Sequence, residues 1–253
     1  MNAPQGPTPH AGSTRALAER IDAIDWQRVE TDVDAEGCAR IERLLSAAEC
    51  CALASLYEQD PDSATLFRSR VVMARHGFGR GEYRYFDYPL PALIAGLRET
   101  IYPHLVPVAN RWNESMGNGV RFPPRHAAFT ARCHAAGQRR PTPLLLRYRV
   151  SDYNCLHQDL YGDQVFPLQL ILLLSDPRRD FEGGELVMTE QRPRMQSRPI
   201  VLPLQQGDAA VIAVHHRPVQ GARGTYRVNL RHGVSRVRSG ERYTAGIIFH
   251  DAT

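Results

Sequence analysis

Arg227-Val-Asn-Leu-Arg-His232-Gly-Val-Ser-Arg-Val-Arg-Ser-Gly240-Glu-Arg242-Tyr-Thr-Ala-Gly-Ile-Ile-Phe-His250 is the stretch that decides the fold. Residues 227–232 and 242–250 are strand-length and rich in β-branched, aromatic and leucine side chains. Ser239-Gly240 marks a turn between them. The same texture extends outward through Leu144 to Val150, Leu168 to Leu174, Glu185 to Thr189, Ile200 to Leu204 and Ala209 to Val214. Turns such as Asp176-Pro177 and Glu182-Gly183-Gly184 separate these runs. Many short strands at such intervals predict an antiparallel jelly roll or barrel.

Upstream of Pro143 the pattern changes. Ala16 to Trp26 has apolar positions near helical spacing and predicts a short helix. Ser46-Ala-Ala-Glu49 is a capping-box pattern ahead of a helix over Cys50 to Tyr57. Phe67 to Tyr88, aromatic and Arg-rich with glycines at 77, 79 and 81, predicts strand, loop and strand. Pro91 to Trp112 has helical period, and Pro103 and Pro107 are expected to kink or divide that helix. Asn113 to Pro124 reads as a loop. The fold class is therefore α+β with a mainly β core. The expected organisation is a flexible tail over 1–14, a mixed, largely helical supporting region over 15–143, and a β core over 144–253.

At 253 residues the chain can bury a sizeable core. No segment approaches 18 uninterrupted apolar residues, so no transmembrane helix is expected. Met1 to Thr14 lacks the apolar core of a signal peptide. The five cysteines, Cys38, Cys50, Cys51, Cys133 and Cys155, are odd in number and show no CxxC spacing. They read as reduced thiols of a cytoplasmic protein rather than a disulfide framework or zinc site. All 31 basic residues are Arg, and the net charge of +4 is too small to announce a nucleic-acid binder.

The chemistry starts from His157-Gln158-Asp159. On a strand, residues i and i+2 share a face, so His157 and Asp159 can reach one metal ion. A histidine from a distant strand would complete the two-histidine, one-carboxylate set of non-haem iron enzymes, which leaves metal positions open. His232 is the candidate, with His215 and His216 as rivals at the end of the strand Ala209 to Val214. His250-Asp251 reads as a terminal hydrogen-bonding pair rather than a second metal site.

His232, Val234, Val237, Gly240 and Arg242 fill every defined position of the pattern H-x-V-x-x-V-x-x-G-x-R. Here the chain resembles the Fe(II)/2-oxoglutarate-dependent dioxygenases, in their prolyl-4-hydroxylase-like branch. The resemblance runs from Leu144 to His250 and implies a double-stranded β-helix (jelly roll). A weaker echo over Gly37 to Leu56 is similar to the family's first strand and capped helix. The resemblance implies His157, Asp159 and His232 as iron ligands, Arg242 as anchor of the far 2-oxoglutarate carboxylate, and Tyr148 as its helper. Arg suits that task because its planar fork can grip a carboxylate through two charge-assisted hydrogen bonds. Gly183-Gly184-Glu185 and Gly207-Asp208 correspond to structural turns. A second family tyrosine is replaced by Asn154, and the segment His215 to Arg231 is longer than in relatives.

The implied reaction oxidises a substrate C–H bond with Fe(II), 2-oxoglutarate and O₂, releasing succinate and CO₂. The ligands must be deprotonated to bind metal, so activity is expected to fall at acidic pH. The substrate stays open: a protein or small molecule to be hydroxylated, or alkylated nucleic acid to be oxidatively dealkylated. Polyanion contacts are expected among Arg68 to Arg84, around Arg192 and Arg194, and in the segment carrying Arg217, Arg223, Arg227 and Arg231. Of these, Arg192, Arg194 and Arg227 are the substrate-side candidates. A cupin-like sensor binding metal and 2-oxoglutarate, or a zinc hydrolase, is the remaining alternative.

Overall fold

The computed structural model describes residues 11–58 and 66–253. Helices α1 (Ala11–Asp22) and α2 (Trp26–Glu36) precede strand β1 (Cys38–Ile41) and helix α3 (Ala47–Leu56). Then come β2 (Phe67–Val72), β3 (Gly79–Arg80), β4 (Glu82–Phe86), α4 (Ala92–Ser115) and α5 (His126–Ala135). The C-terminal half is all strand: β5 (Leu144–Tyr148), β6 (Tyr153–His157), β7 (Leu168–Leu173), β8 (Phe181–Gly183), β9 (Leu186–Gln191) and β10 (Arg198–Leu202) come first. They are followed by β11 (Ala209–Ala213), β12 (His216–Gly221), β13 (Gly224–Val234), β14 (Val237–Gly240) and β15 (Arg242–Ile248).

The strands form two principal antiparallel sheets. One has the order β1-β11-β7-β15-β5-β4-β2; the other has β10-β9-β13-β6-β3, with β12 also on β13. This is the expected jelly roll. Strand β11 (Ala-Ala-Val-Ile-Ala) and β7 (Leu-Gln-Leu-Ile-Leu-Leu) lack polar alternation because both faces are covered. Helices α2 and α4 pack on the outer side against β11 and β15, and the cavity lies on the inner side. Strands β1, β2 and β4 from the first half extend the same seven-stranded sheet, so the sheet runs across residue 143.

Three local expectations change. The stretch expected as tail is helical from Ala11; residues 1–10 of it lie outside the described residues. The helix expected over Ala16 to Trp26 is two helices. Asp25 caps α2 by accepting the Arg28 N–H, and Trp26 stacks on His104 with ring centroids 4.3 Å apart. Pro103 and Pro107 do not divide α4. Glu99, Pro103 and Pro107 lie on one exposed stripe, so the carbonyls that lose their i+4 donors face water. Twelve buried residues, Gly96 among them, hold the other face of this helix against the core. The capping box at Ser46 and Glu49 forms as expected.

Helix α4 is tied to the end of the sheet by a buried ion pair. Arg98 donates to Asp251 at 2.6 Å and to the Ile248 carbonyl at 2.9 Å. Asp251 also accepts from Tyr88 and His134. His250 has a different partner, accepting the Phe166 N–H at 3.3 Å. Both residues of the His250-Asp251 pair are thus hydrogen-bonded, each to other elements.

Burial holds His126 neutral, with its pKa pushed down to about 4, and does the same to His250, down to about 3. Both titrate near 6.5 in an unfolded chain, so the unfolded state binds more protons below that pH. Their contribution is therefore fully present above about pH 6.5 and is lost as the pH falls toward 4. The urea midpoint should drop between pH 7 and pH 5, and His126→Asn should shrink that drop. An unchanged midpoint in the wild type would contradict it.

Candidate active site

His157 ends β6, and His232 lies opposite it in the β6–β13 register. Asp159 follows His157 by two residues, just past the strand end. The pairing of two strands distant in sequence therefore delivers the third candidate ligand. The ligand atoms of His157, Asp159 and His232 all lie within 4.8 Å of one another. Among the described residues this is the one such group of three. His157 Nε2 is 3.5 Å and His232 Nε2 is 3.3 Å from the Asp159 carboxylate. His215 and His216 are not part of the cluster; they lie at the start of β12.

Neighbouring groups orient these side chains. His157 Nδ1 lies 2.8 Å from the Cys155 carbonyl, which selects the tautomer that presents Nε2. Tyr161 donates to Asp159 Oδ1 at 2.9 Å, and Tyr85 donates to Tyr161 at 3.1 Å. Gln169, on β7, donates to Asp159 Oδ2 at 2.9 Å and lies 3.2 Å from His232 Nε2. Burial would raise the Asp159 pKa, but the hydrogen bonds from His157 and His232 outweigh it and hold the carboxyl well below the usual range. Burial lowers His157, yet its bonds to Asp159 outweigh that and raise it; His232 is lowered because burial wins.

Gln169 and Tyr161 were not singled out in the sequence. A signal existed for Gln169: it is the sole polar residue in the apolar run of β7. Tyr161 continues the i, i+2 spacing beyond Asp159.

The cluster lies in a cavity of about 380 Å³ between the sheets, lined by Leu144, Leu146, Ile171 and Ile248 as well as polar groups. Arg242 and Tyr148 line it too, as register partners on β15 and β5. Arg242 is only 1% exposed, and its Nε and Nη1 have no partner. Its guanidinium lies over the Tyr148 ring, 5.5 Å from the centroid. Burial lowers the Arg242 pKa to about 10. Gly184, at φ +62°, leaves room for this arginine, since a Cβ there would meet Arg242 Cδ at 2.8 Å. Tyr148 is raised, chiefly by burial, and its hydroxyl lies beside Asn154, the residue that departs from the family pattern.

The substrate-side candidates do not line this cavity. Arg192 pairs with Glu190 at 2.9 Å, Arg194 is exposed with φ +64°, and Arg227 donates to the Met116 carbonyl at 3.0 Å. Arg217 is buried in an ion pair with Glu190.

The donor set suits a ferrous ion and its cosubstrate. Two imidazoles and one carboxylate converge, and a buried guanidinium in the same cavity makes no salt bridge among the described residues, Glu185 acting on it only at longer range. An unpaired buried cation is costly, and a dicarboxylate bound at the metal would supply its partner.

Comparison with known proteins agrees. Residues 81–252 match the model of a family described as an oxygenase catalysing oxidative methylation of damaged DNA. Two relatives from Mycobacterium tuberculosis, the uncharacterized proteins MT2286 (strain CDC 1551 / Oshkosh) and Rv2227 (strain ATCC 25618 / H37Rv), are 48% identical over 167 residues. That span is 66% of this chain and 72% of each relative. Among solved structures, an oxidoreductase of the 2OG-Fe(II) oxygenase family from Burkholderia pseudomallei is similar, with TM-score 0.52 and 15% identity over 91% of this chain and 94% of that one. A Trichoplax adhaerens prolyl hydroxylase, solved with a hypoxia inducible factor peptide, has TM-score 0.53 and 12% identity over 96% and 94%. At such identities these two establish the fold. The chain belongs to the oxygenase family of that model, built on a jelly roll like that of the prolyl hydroxylases.

Proposed function

We propose that this oxygenase acts on an alkylated base of damaged DNA, with His157, Asp159 and His232 holding the iron and Arg242, helped by Tyr148, holding the far carboxylate of 2-oxoglutarate. The observation that carries the cofactor assignment is Arg242, a buried guanidinium in the cavity of the triad with no hydrogen-bond or ion-pair partner among the described residues. The match to a family described by damaged DNA supports the substrate class over a peptide or metabolite.

When bound, the iron and 2-oxoglutarate supply the oxidising power to convert O₂ and a C–H bond into a hydroxylated product, succinate and CO₂. The chain's tasks are positional. The Cys155 carbonyl keeps His157 Nε2 free to ligate, while Tyr161 and Gln169 fix the two Asp159 oxygens. Arg242 fixes one end of the cosubstrate, and the apolar walls at Leu144, Leu146, Ile171 and Ile248 exclude water.

The mouth supports a nucleic-acid substrate. The loop between β2 and β4 presents Arg75, His76, Phe78 and Arg80 to solvent, with Gly77 and Phe78 on the cavity rim. The His76 and Phe78 rings stack at 5.4 Å. Arginines beside exposed aromatic faces suit phosphates and unstacked bases. The other arginines of that segment are engaged by the protein itself: Arg68 lies over Tyr85, the exposed Arg70 pairs with Glu82, and Arg84 lies over Tyr57. We place the enzyme in the cytoplasm, where reducing conditions suit both Fe(II) and its free thiols. Among the described residues no helix is long and apolar enough to cross a membrane.

The test loads the protein anaerobically with Fe(II) and 2-oxoglutarate, admits O₂, and measures succinate. Methylated and unmodified oligonucleotides, peptides and metabolites are compared. Methylated DNA should raise succinate release above unmodified DNA, with formaldehyde appearing if the carbon attacked is an N-methyl group. Stimulation by a peptide and not by methylated DNA would sink the substrate assignment.

A further inference from the structure

His215 and His216, left out of the metal cluster, sit close beside it. Strands β6 and β12 lie end to end along the same edge of β13. His232 and Val234 pair with β6, while Gly224 to Asn229 pair with β12. Gln158, between His157 and Asp159, spans the junction. Its amide donates to Asn229 Oδ1 at 2.6 Å and to the Leu230 carbonyl at 2.7 Å. The Leu230 N–H in turn donates to the His215 carbonyl at 2.7 Å. The two histidines are therefore one strand end away from the metal site.

Their immediate surroundings are cationic. The imidazole centroids are 4.3 Å apart, and Arg227 acts electrostatically on both rings. Burial first, then these positive neighbours, push His215 down to about 4 and lower His216 as well. His215 Nδ1 is buried without a partner. Arg227 is exposed and gives one N–H to Met116, which leaves further donors of its five available. On the edge of β6 away from β13 lies β3, which carries the exposed Arg80, and the turn before β3 carries the exposed Arg75. The strand that carries His157 thus has basic groups beside its β3 edge and, in line with it on β13, around β12.

Two imidazoles and a guanidinium, drawn together without a balancing carboxylate among the described residues, match a phosphate group better than a metal or a neutral ligand. We infer that His215, His216 and Arg227 hold a backbone phosphodiester of the strand whose base enters the cavity; this rests on the nucleic-acid reading above. An enzyme acting on an extruded or single-stranded base leaves the flanking phosphates outside its pocket, where such a cluster can grip them. The assignment also accounts for the long β12–β13 hairpin, whose first strand places the two histidines beside Gln158. Arg227 would then act on the substrate from outside the cavity, as a backbone contact.

The test measures anisotropy of a short, labelled, single-stranded oligonucleotide carrying one methylated base. The full chain is loaded with Fe(II) and 2-oxoglutarate without O₂, between about 50 and 200 mM NaCl. Wild-type affinity should fall with a log–log slope of about −0.7 per phosphate contacted. Arg227→Gln combined with His216→Gln should flatten the slope by about one contact and weaken low-salt binding roughly fivefold. Arg227→Lys should retain most of the binding, which a purely structural role for the Met116 contact does not require. Thermal denaturation and 2-oxoglutarate binding, followed in the same variants, separate a folding defect from a lost contact. If the double variant keeps the wild-type slope and affinity, the cluster does not bind phosphate while the nucleic-acid reading stands. If the wild type itself shows no salt-dependent binding, that reading fails and this inference fails with it.

Discussion

His157→Ala and His232→Ala are each expected to abolish tight Fe(II) binding and succinate formation, whereas His216→Ala keeps its full complement of iron. The reason is geometric. The ligand atoms of His157, Asp159 and His232 lie within 4.8 Å of one another, and His216 is not among them. Losing a hydrogen bond behind a ligand typically costs roughly 10–100-fold in metal affinity, and losing the ligand itself should cost more. Gln169→Leu provides the graded comparison, because it removes the donor to Asp159 Oδ2 while all three ligands remain. Its Fe(II) affinity should fall within that 10–100-fold range. Iron stoichiometry and affinity, titrated anaerobically, are the measurements. Iron retained by His232→Ala and lost by His216→Ala would move the distal ligand to β12.

Asp251→Ala should produce the largest loss of stability. Arg98 is 2% exposed, and its charge is balanced by Asp251 at 2.6 Å. Removing the carboxylate leaves a buried guanidinium unpaired, which typically costs about 3–5 kcal/mol. Replacing both partners by apolar residues of similar size, as in Arg98→Met with Asp251→Leu, should cost much less than two single losses. The orphaned charge is then gone as well. Urea denaturation of the two single variants and the double variant measures this coupling. A cost below about 1 kcal/mol for Asp251→Ala would place the pair among those that contribute little. Iron bound per folded molecule should not change, because the pair joins α4 to the chain segment after β15 and does not line the metal cavity.

Much of the β half could be read in the chain itself. Strands β5, β7, β9, β11 and β15 stand within a few residues of their expected places, because apolar runs and Gly or Pro turns are local signals. Strand β12 was missed. His216 to Gly221 contains Pro218 and little apolar texture, and it is a strand only because β13 pairs with it. Helix α5 was missed in a similar way: His126 to Ala135 is weakly patterned, and Phe129 and Cys133 anchor it in the core. The error over α4 ran the other way. A local rule against proline overrode an apolar face that tertiary packing satisfies, with the prolines turned to water.

The site divides along the same line. Residue identity and short spacing pointed to His157 and Asp159 as candidates, and to His232 and Arg242 through their pattern; the fold gathers the first three into one cluster, with Asp159 just past the end of β6. These depend on side-chain chemistry and on a period of two, which the chain carries without folding. Only the folded structure could bring Gln169 and Tyr161 to Asp159, leave Arg242 buried without a hydrogen bond or ion pair among the described residues, and keep Arg192, Arg194 and Arg227 out of the cavity lining. It also set His215 and His216 beside the His157, Asp159 and His232 cluster rather than in it. Those placements follow from cross-strand register between segments far apart in sequence, and register is fixed by burial of whole sheet faces rather than by any one residue.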